Sequence, residues 1–405
     1  MPPFSKACLV MNKSQLPPAT TGGLLSSPRN RAIIFQCLAL LAVVACAFYF
    51  TSNMFDNIEK RGITTGFSFL GETAGFGVSQ SLIAYDDTTS TFLDVFIVGI
   101  LNTLLVGVIG IICASVFGLL IGIGRLSSNF IVAKLSLVYI ETFRNIPILL
   151  QILFWYNIVL AALPGPRQSF SYFESIFLNN RGLLLPEPIF QSGSIFILIA
   201  FVIACTAVIF LTRWAKKRHD QTGEEFPLIK VSLAILIVSP LLAYFVTGQP
   251  ITAEYPALKG FNFQGGLAII PEFLALTFAL SIYTATYIAE AVRAGIEAVA
   301  SGQKEAAESL GLKKHVILRK VVLPQALRVI IPPVINQYLN LVKNSSLATA
   351  IGYPEIVTLF SGTTLNQVGQ AIEIIMMTMA VYLTFSIVIS LLLNWVNAKM
   401  EIKGR

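Results

Sequence analysis

Eight apolar segments, each close to the length that crosses a bilayer, run through this chain of 405 residues. They lie at about 32–50, 94–122, 132–161, 194–212, 229–247, 268–292, 329–350 and 371–396. Hydrocarbon offers the backbone no hydrogen bonds, so a stretch of roughly 20 apolar residues crosses it as a helix. The pattern predicts an all-α polytopic membrane protein of about eight transmembrane helices. Composition agrees: 55% of residues are hydrophobic and 12% charged, where soluble domains carry about 25% charged residues. The third and seventh segments are unusual in holding Arg144 and Lys343.

The formal charge of +7 does not point to nucleic acid, because the basic residues sit in short loops and follow topology. With the amino terminus on the cytoplasmic side, 21 of the 28 Lys and Arg residues fall on that side. Only Lys60, Arg61, Arg167, Arg181 and Lys259 fall outside. The positive-inside rule therefore predicts a multi-pass membrane protein with both termini cytoplasmic. The first 30 residues are polar, and the first apolar run begins at Ala32. A signal peptide would start its apolar core sooner and end in a small-residue cleavage site; we read an uncleaved first span. Five cysteines show neither CxxC pairing nor metal spacing, so no metal site is expected.

One polar stretch is out of place among these spans. Gly302, Gln303, Lys304, Glu305, Ala306, Ala307, Glu308, Ser309, Leu310 and Gly311 follow directly on the sixth segment. These are good helix formers, and Gly311 suits a C-terminal cap. Spacing predicts Ala306, Ala307 and Leu310 on one face. Such a helix is too polar for lipid and too short for a domain. It reads as a surface helix that a partner grips or, on composition alone, as an ordinary solvated loop.

Polar residues inside the spans are the other candidates. Thr277, Ser281 and Thr284 share a face of the sixth segment, with Tyr283, Thr286 and Glu290 beside them. Asn336, Asn340, Lys343 and Asn344 form a stripe on the seventh, too costly to face lipid. Glu141 and Arg144, three residues apart, can pair near Pro147, which breaks the third segment. Each set fits either a substrate path or plain helix packing. Gly110, Ala114, Gly118 and Gly122 recur every fourth residue and form a packing seam. Lys343 has no adjacent acid; a substrate carboxylate, Glu373 or a partner residue is its candidate counter-ion. No G-x-x-x-x-G-K-[ST] loop occurs, so ATP is not bound by that route.

Several motifs together resemble one family. Ala289-Glu290, Arg293, Gly295-Ile296, Gly302-Gln303, Glu305-Ala306-Ala307, Leu310-Gly311-Leu312 and Leu323-Pro324-Gln325-Ala326 match in register the EAA loop of ABC polar-amino-acid permeases. Ala294 stands where a Gly is usual. Residues 141–151, ETFRNIPILLQ, are similar to the family's E-x-F-R-G-T-P-L-L-V-Q, with Asn145-Ile146 replacing Gly-Thr. Residues 336–347, NQYLNLVKNSSL, resemble N-x-x-x-x-L-x-K-D-T-S-L, with Asn344-Ser345 replacing Asp-Thr. The enlarged plan looks most like the general L-amino-acid permease subfamily.

The resemblance implies a type I importer with a five-helix core over 94–162 and 265–400. Outside that core lie a tail (1–31), a first span with its outer loop (32–93) and an insert with two extra spans (163–264). A cytoplasmic coupling loop covers 294–328. It implies no catalytic residue here, with ATP and Mg held by two partner ATPase subunits that dock on Gly302, Gln303, Glu305, Ala306, Ala307, Leu310 and Gly311. A second, related permease and a periplasmic binding protein complete the expected assembly. An amino-acid substrate would pass Thr277, Ser281, Tyr283, Thr284, Asn340, Lys343, Asn344, Arg144 and Glu141. An opine or compatible-solute permease of the same fold, or a transporter working without ATP, remains open at this point.

Overall fold

The computed structural model describes residues 28–62, 65–224 and 226–400. It divides into two units, residues 1–65 and residues 66–405. The described part of the first is a single helix, α1 (Pro28–Arg61), with Phe35, Leu41 and Phe48 exposed along it as lipid contact requires.

The second unit contains α2 (Phe92–Arg125), α3 (Phe130–Asn145), α4 (Ile148–Phe154), α5 (Ser194–Thr222) and α6 (Leu228–Val246). After these come α7 (Pro271–Glu297), the short α8 (Ser301–Ser309) and α9 (Lys314–Ile317), and α10 (Leu323–Asn344). The one-turn α11 (Leu365–Val368) leads into α12 (Ala371–Met400). Six described helices are long and apolar enough to cross a membrane, and the bent pair that begins with α3 makes a seventh if it is one span. The remaining predicted segment, the seventh, is α10, whose 22 residues have the length of a span but carry Arg328, Lys343 and three Asn.

Two predicted spans are irregular. The third breaks at Ile146-Pro147, and its two arms meet at 102°. Proline has no N–H to donate and forces the preceding residue out of the helical region; Ile146 is extended, with ψ 128°. Gln151 heals the break, since its Nε2 donates to the carbonyls of Phe143 (2.8 Å) and Ile146 (2.9 Å). The seventh predicted span begins earlier, at Leu323, and narrows to a 3-10 turn at Ser345–Ile351. There Ser345 and Ser346 donate to the carbonyls three residues back, a local alternative to the α-helical ladder.

The core forms around α7, which is buried along most of its length. α2, α3, α4 and α10 pack on it, and α12 packs on α10. The α2 seam makes this closeness possible. A Cβ on Gly118 would lie 2.6 Å from Ile288 Cβ, and one on Gly122 would lie 2.8 Å from the Ala289 carbonyl. A second apolar cluster joins Phe69 and Ala74 of the preceding loop to Phe92, Val95 and Val98, and to Phe360 and Ile374.

The first part of the insert, residues 163–193, is partly β-structure. Its strands are β1 (Phe170–Tyr172), β2 (Ile176–Asn179), β3 (Gly182–Leu185) and β4 (Glu187–Phe190). The chain returning from the α5–α6 hairpin adds β5 (Ile251–Glu254), β6 (Ala257–Lys259), β7 (Asn262–Gln264) and β8 (Leu267–Ile269). The sheet order is β1-β2-β3-β8, all antiparallel, with β4 paired to β5 and β6 to β7. The hairpin is thus mounted on a β stalk at the end of the bundle where α7 begins. α8 lies beyond the other end of α7.

Candidate functional site

α8 is a short polar helix held by one side chain. Ala307 is 5% exposed and joins the core cluster with Val299, Ile317, Val322 and Ala326. Gly302, Gln303, Glu305, Ala306 and Leu310 are exposed, Leu310 at 78%. Ala306, Ala307 and Leu310 therefore do not share a face, as their spacing had suggested. Ala307 points into the bundle because the helix lies flat against it, and Ala306 and Leu310 look away. Gly311 ends the helix as expected, at φ +73°. Its N–H reaches Glu308 O (2.8 Å) and the Leu312 N–H reaches Ala307 O (3.3 Å), the paired bonds of a left-handed glycine cap.

On α7, Thr277, Ser281 and Thr284 are buried inside the chain's own packing. Ser281 Oγ donates to Thr277 O at 2.6 Å and lies 3.5 Å from Gly110 O on α2. Thr277 Oγ1 is buried without a hydrogen-bond partner. Thr286 is buried too, donating to Tyr283 O at 2.7 Å. Tyr283 is half-buried, its hydroxyl 2.9 Å from that of Tyr287. Near the far end of α7, Arg293 bridges Glu290 (Nε–Oε2 3.1 Å) and Glu297.

α10 differs. Asn336, Asn340 and Lys343 are exposed and Asn344 is half-buried, while Leu341 and Val342 are buried on the opposite side. The predicted stripe thus exists and faces away from the chain's own core. Lys343 is in no ion pair among the described residues, and Glu373 is not its counter-ion. The Glu373 carboxylate instead accepts the Gly66 N–H at 2.7 Å.

Glu141 and Arg144 are not an ion pair either. Arg144 extends over the Tyr287 ring, 5.1 Å from its centroid. Glu141 Oε2 accepts a long bond (3.4 Å) from Asn145. The break at Pro147 ends α3 just past Arg144, and the guanidinium lies over a ring of α7 and makes no ion pair with the carboxylate one turn back. Arg144, Tyr287 and Tyr283 are thereby linked across α3 and α7.

Sequence reasoning missed a polar clamp between α2 and the irregular segment after α10. Asn102 Nδ2 donates to Gln80 O (2.9 Å) and Pro354 O (2.8 Å), and Thr103 Oγ1 accepts the Ile356 N–H (3.2 Å). Glu355 is fully buried, and its carboxylate accepts from the Val357 and Thr358 N–H groups and from the Tyr382 hydroxyl. The available signal was an amide and a hydroxyl in the second apolar segment, Asn102-Thr103, which nothing in a lipid-facing helix requires.

A family profile described as "binding-protein-dependent transport system inner membrane component" matches residues 227–402. The chain is 52% identical over 389 residues to the putative amino-acid ABC transporter permease protein YhdX of Escherichia coli K12, covering 96% of this chain and 99% of that one. The chain belongs to the amino-acid ABC transporter permeases. It is 50% identical to the general L-amino acid transport system permease protein AapQ of Rhizobium johnstonii, over 93% of this chain and 94% of its relative. It is 38% identical to the glutamate/glutamine/aspartate/asparagine transport system permease protein BztB of Rhodobacter capsulatus, over 94% of this chain and 96% of its relative. The permease is thus a membrane-spanning component of an amino-acid transporter, and its buried and exposed polar faces are to be read as parts of one.

Proposed function

We propose that this permease is the translocating subunit of an ATP-driven amino-acid importer whose ATPase is a separate chain. The observation that carries the coupling is the geometry of α8. Its anchor, Ala307, fixes it to the bundle, and its exposed side presents the small Gly302 and Ala306 among the polar Gln303, Glu305 and Glu308, with one large apolar side chain, Leu310, at 78% exposure. Small residues admit a close partner backbone, and an isolated apolar side chain in a polar setting suits a hydrophobic notch. α8 lies in the part of the chain with the densest basic loops, and that charge asymmetry supports a cytoplasmic position for it and for both termini. ATP closure of two ATPase subunits would then be passed through α8 to α7 and α10.

On the opposite side, a periplasmic binding protein delivers substrate. The exposed stripe of Asn336, Asn340 and Lys343 lines the path or meets a second, related permease across it. Amides and a single cation, without an acidic cluster, suit a broad range of neutral and acidic L-amino acids. The names of AapQ and BztB support that range. Arg144, Glu141, Tyr283 and Asn344 are secondary candidates on the same path.

The test is Leu310→Asp. Co-purification of the ATPase should fall by tenfold or more, the order of an interface hot spot of about 2 kcal/mol, while the amount of permease in the membrane stays the same. Undiminished ATPase capture and transport would sink the coupling role. An uptake panel tests the cargo, and a preference confined to Arg and Lys would overturn the broad reading.

A further inference from the structure

A cleft of about 580 Å3 opens where the α5–α6 hairpin meets the segment after α9, and none of the polar residues of α7 and α10 lines it. Its walls carry Lys216 and His219 from the last turns of α5, Lys230 from the first turn of α6, and Arg319 and Lys320 from the wide-turned helical stretch Leu318–Val322. Four full cations thus share one cleft. None is in an ion pair among the described residues, whose pairs are Arg218 with Glu224 and Arg293 with Glu290 and Glu297. Converging like charges repel one another and raise the local potential, which an anion relieves. α6 starts here with no acidic residue in its first turn and no side chain capping it, so the positive end of its dipole adds to that field.

The rest of the wall is mostly apolar, formed by Ala215, Phe226 and residues 227–229, with the hydroxyl of Thr212 beside them. The height of the cleft matters as much. The apolar run of α5 ends near residue 212 and that of α6 begins after Lys230. The cleft therefore lies where hydrocarbon gives way to headgroups. A site that mixes four cations with apolar side chains at this depth matches an amphiphilic anion. We propose that it binds the phosphate of an anionic membrane phospholipid, whose chains follow the apolar flank of the hairpin. A free phosphate would satisfy the cations and leave the apolar wall without a partner. The bound lipid would tie the inserted hairpin to the segment next to α8, two parts of the chain otherwise joined by few contacts.

The experiment uses the full chain with its partner subunits, purified in detergent and titrated with phosphatidylglycerol or phosphatidylcholine, with retained lipid counted by native mass spectrometry. Phosphatidylglycerol should be retained at least tenfold over phosphatidylcholine. The double variant Lys216→Gln/Lys230→Gln should weaken that retention by roughly fivefold for each lysine. Lys134→Gln removes an exposed cation elsewhere and should change nothing. Equal retention of the two lipids in the unaltered protein would overturn the proposal without recourse to any variant. Undiminished retention in the double variant would also overturn it. So would competition in which millimolar inorganic phosphate occupies the cleft and phosphatidylglycerol does not.

Discussion

α7 and α10 stand side by side in the same core, and each carries a line of polar side chains, but the two lines meet different neighbours. On α7, Thr277, Ser281 and Thr284 are turned into the chain's own packing, where Ser281 is satisfied by the carbonyl of Thr277. On α10, Asn336, Asn340 and Lys343 project from the opposite side to the buried Leu341 and Val342. A polar group in a membrane protein needs a partner, and the two helices find theirs in different places. α7 holds hydroxyls, which can donate to a carbonyl of their own helix and so pack without outside help. α10 holds amides and an ammonium on its exposed side, and Asn336, Asn340 and Lys343 make no side-chain hydrogen bond within the described chain. On the proposed function, that open side serves substrate or a second subunit.

The sharpest way to break this comparison is to attack the closed side. A Cβ at Gly118 would already lie 2.6 Å from Ile288 Cβ and 3.1 Å from the Ala285 carbonyl. Gly118→Leu must push α2 off α7. Overpacking costs about 1–3 kcal/mol where side chains yield, and more where backbone is in the way. The variant is expected not to accumulate as a folded protein, as judged by a monodisperse peak in detergent. Normal accumulation would mean that the seam is looser than its glycines require.

Next in size is Gln151→Leu at the bend. It leaves the carbonyls of Phe143 and Ile146 without their donor, and a buried orphan acceptor costs roughly 1–3 kcal/mol. We expect a loss of about 2 kcal/mol in thermal or denaturant unfolding of the purified protein, with Gln151→Glu also destabilising, because a carboxylate accepts and cannot donate. An unchanged melting point would show that another group or a water supports the break.

These cases also show where sequence is informative. Glycines four residues apart state their spacing openly, and Pro147 states its break. The role of Gln151 could not be read, because its reach to Phe143 exists only once the chain has bent by 102°. The strands were hidden for a related reason. They are three or four residues long, and partners such as Leu183 and Ile269 are separated by the whole hairpin. The Thr277, Ser281 and Thr284 face was visible as a stripe, yet a stripe does not say whether α2 or a cavity lies opposite it. The spacing within α8 failed differently, since Ala306 and Ala307 are adjacent, and adjacent helical residues point about 100° apart.

The open side is tested by Asn340→Leu, which removes no hydrogen bond within the described chain. Stability should change by less than about 0.5 kcal/mol, as for a surface substitution. Uptake should fall severalfold, or the second subunit should be lost from the purified complex. If neither moves, the α10 stripe is ordinary surface and the contrast between the helices collapses.

The smallest expected effect is the most discriminating. Thr277 Oγ1 is buried and has no partner, so its desolvation is uncompensated. Thr277→Val keeps the shape and removes the orphan, and such a replacement is neutral or stabilising. We expect the melting point to hold or rise slightly, with uptake unchanged. A stable Thr277→Val variant with impaired uptake would mean that the hydroxyl is kept unpaired for the substrate. The translocation path would then run along α7 and not along α10, because only a ligand absent from the resting chain could make a destabilising hydroxyl worth retaining.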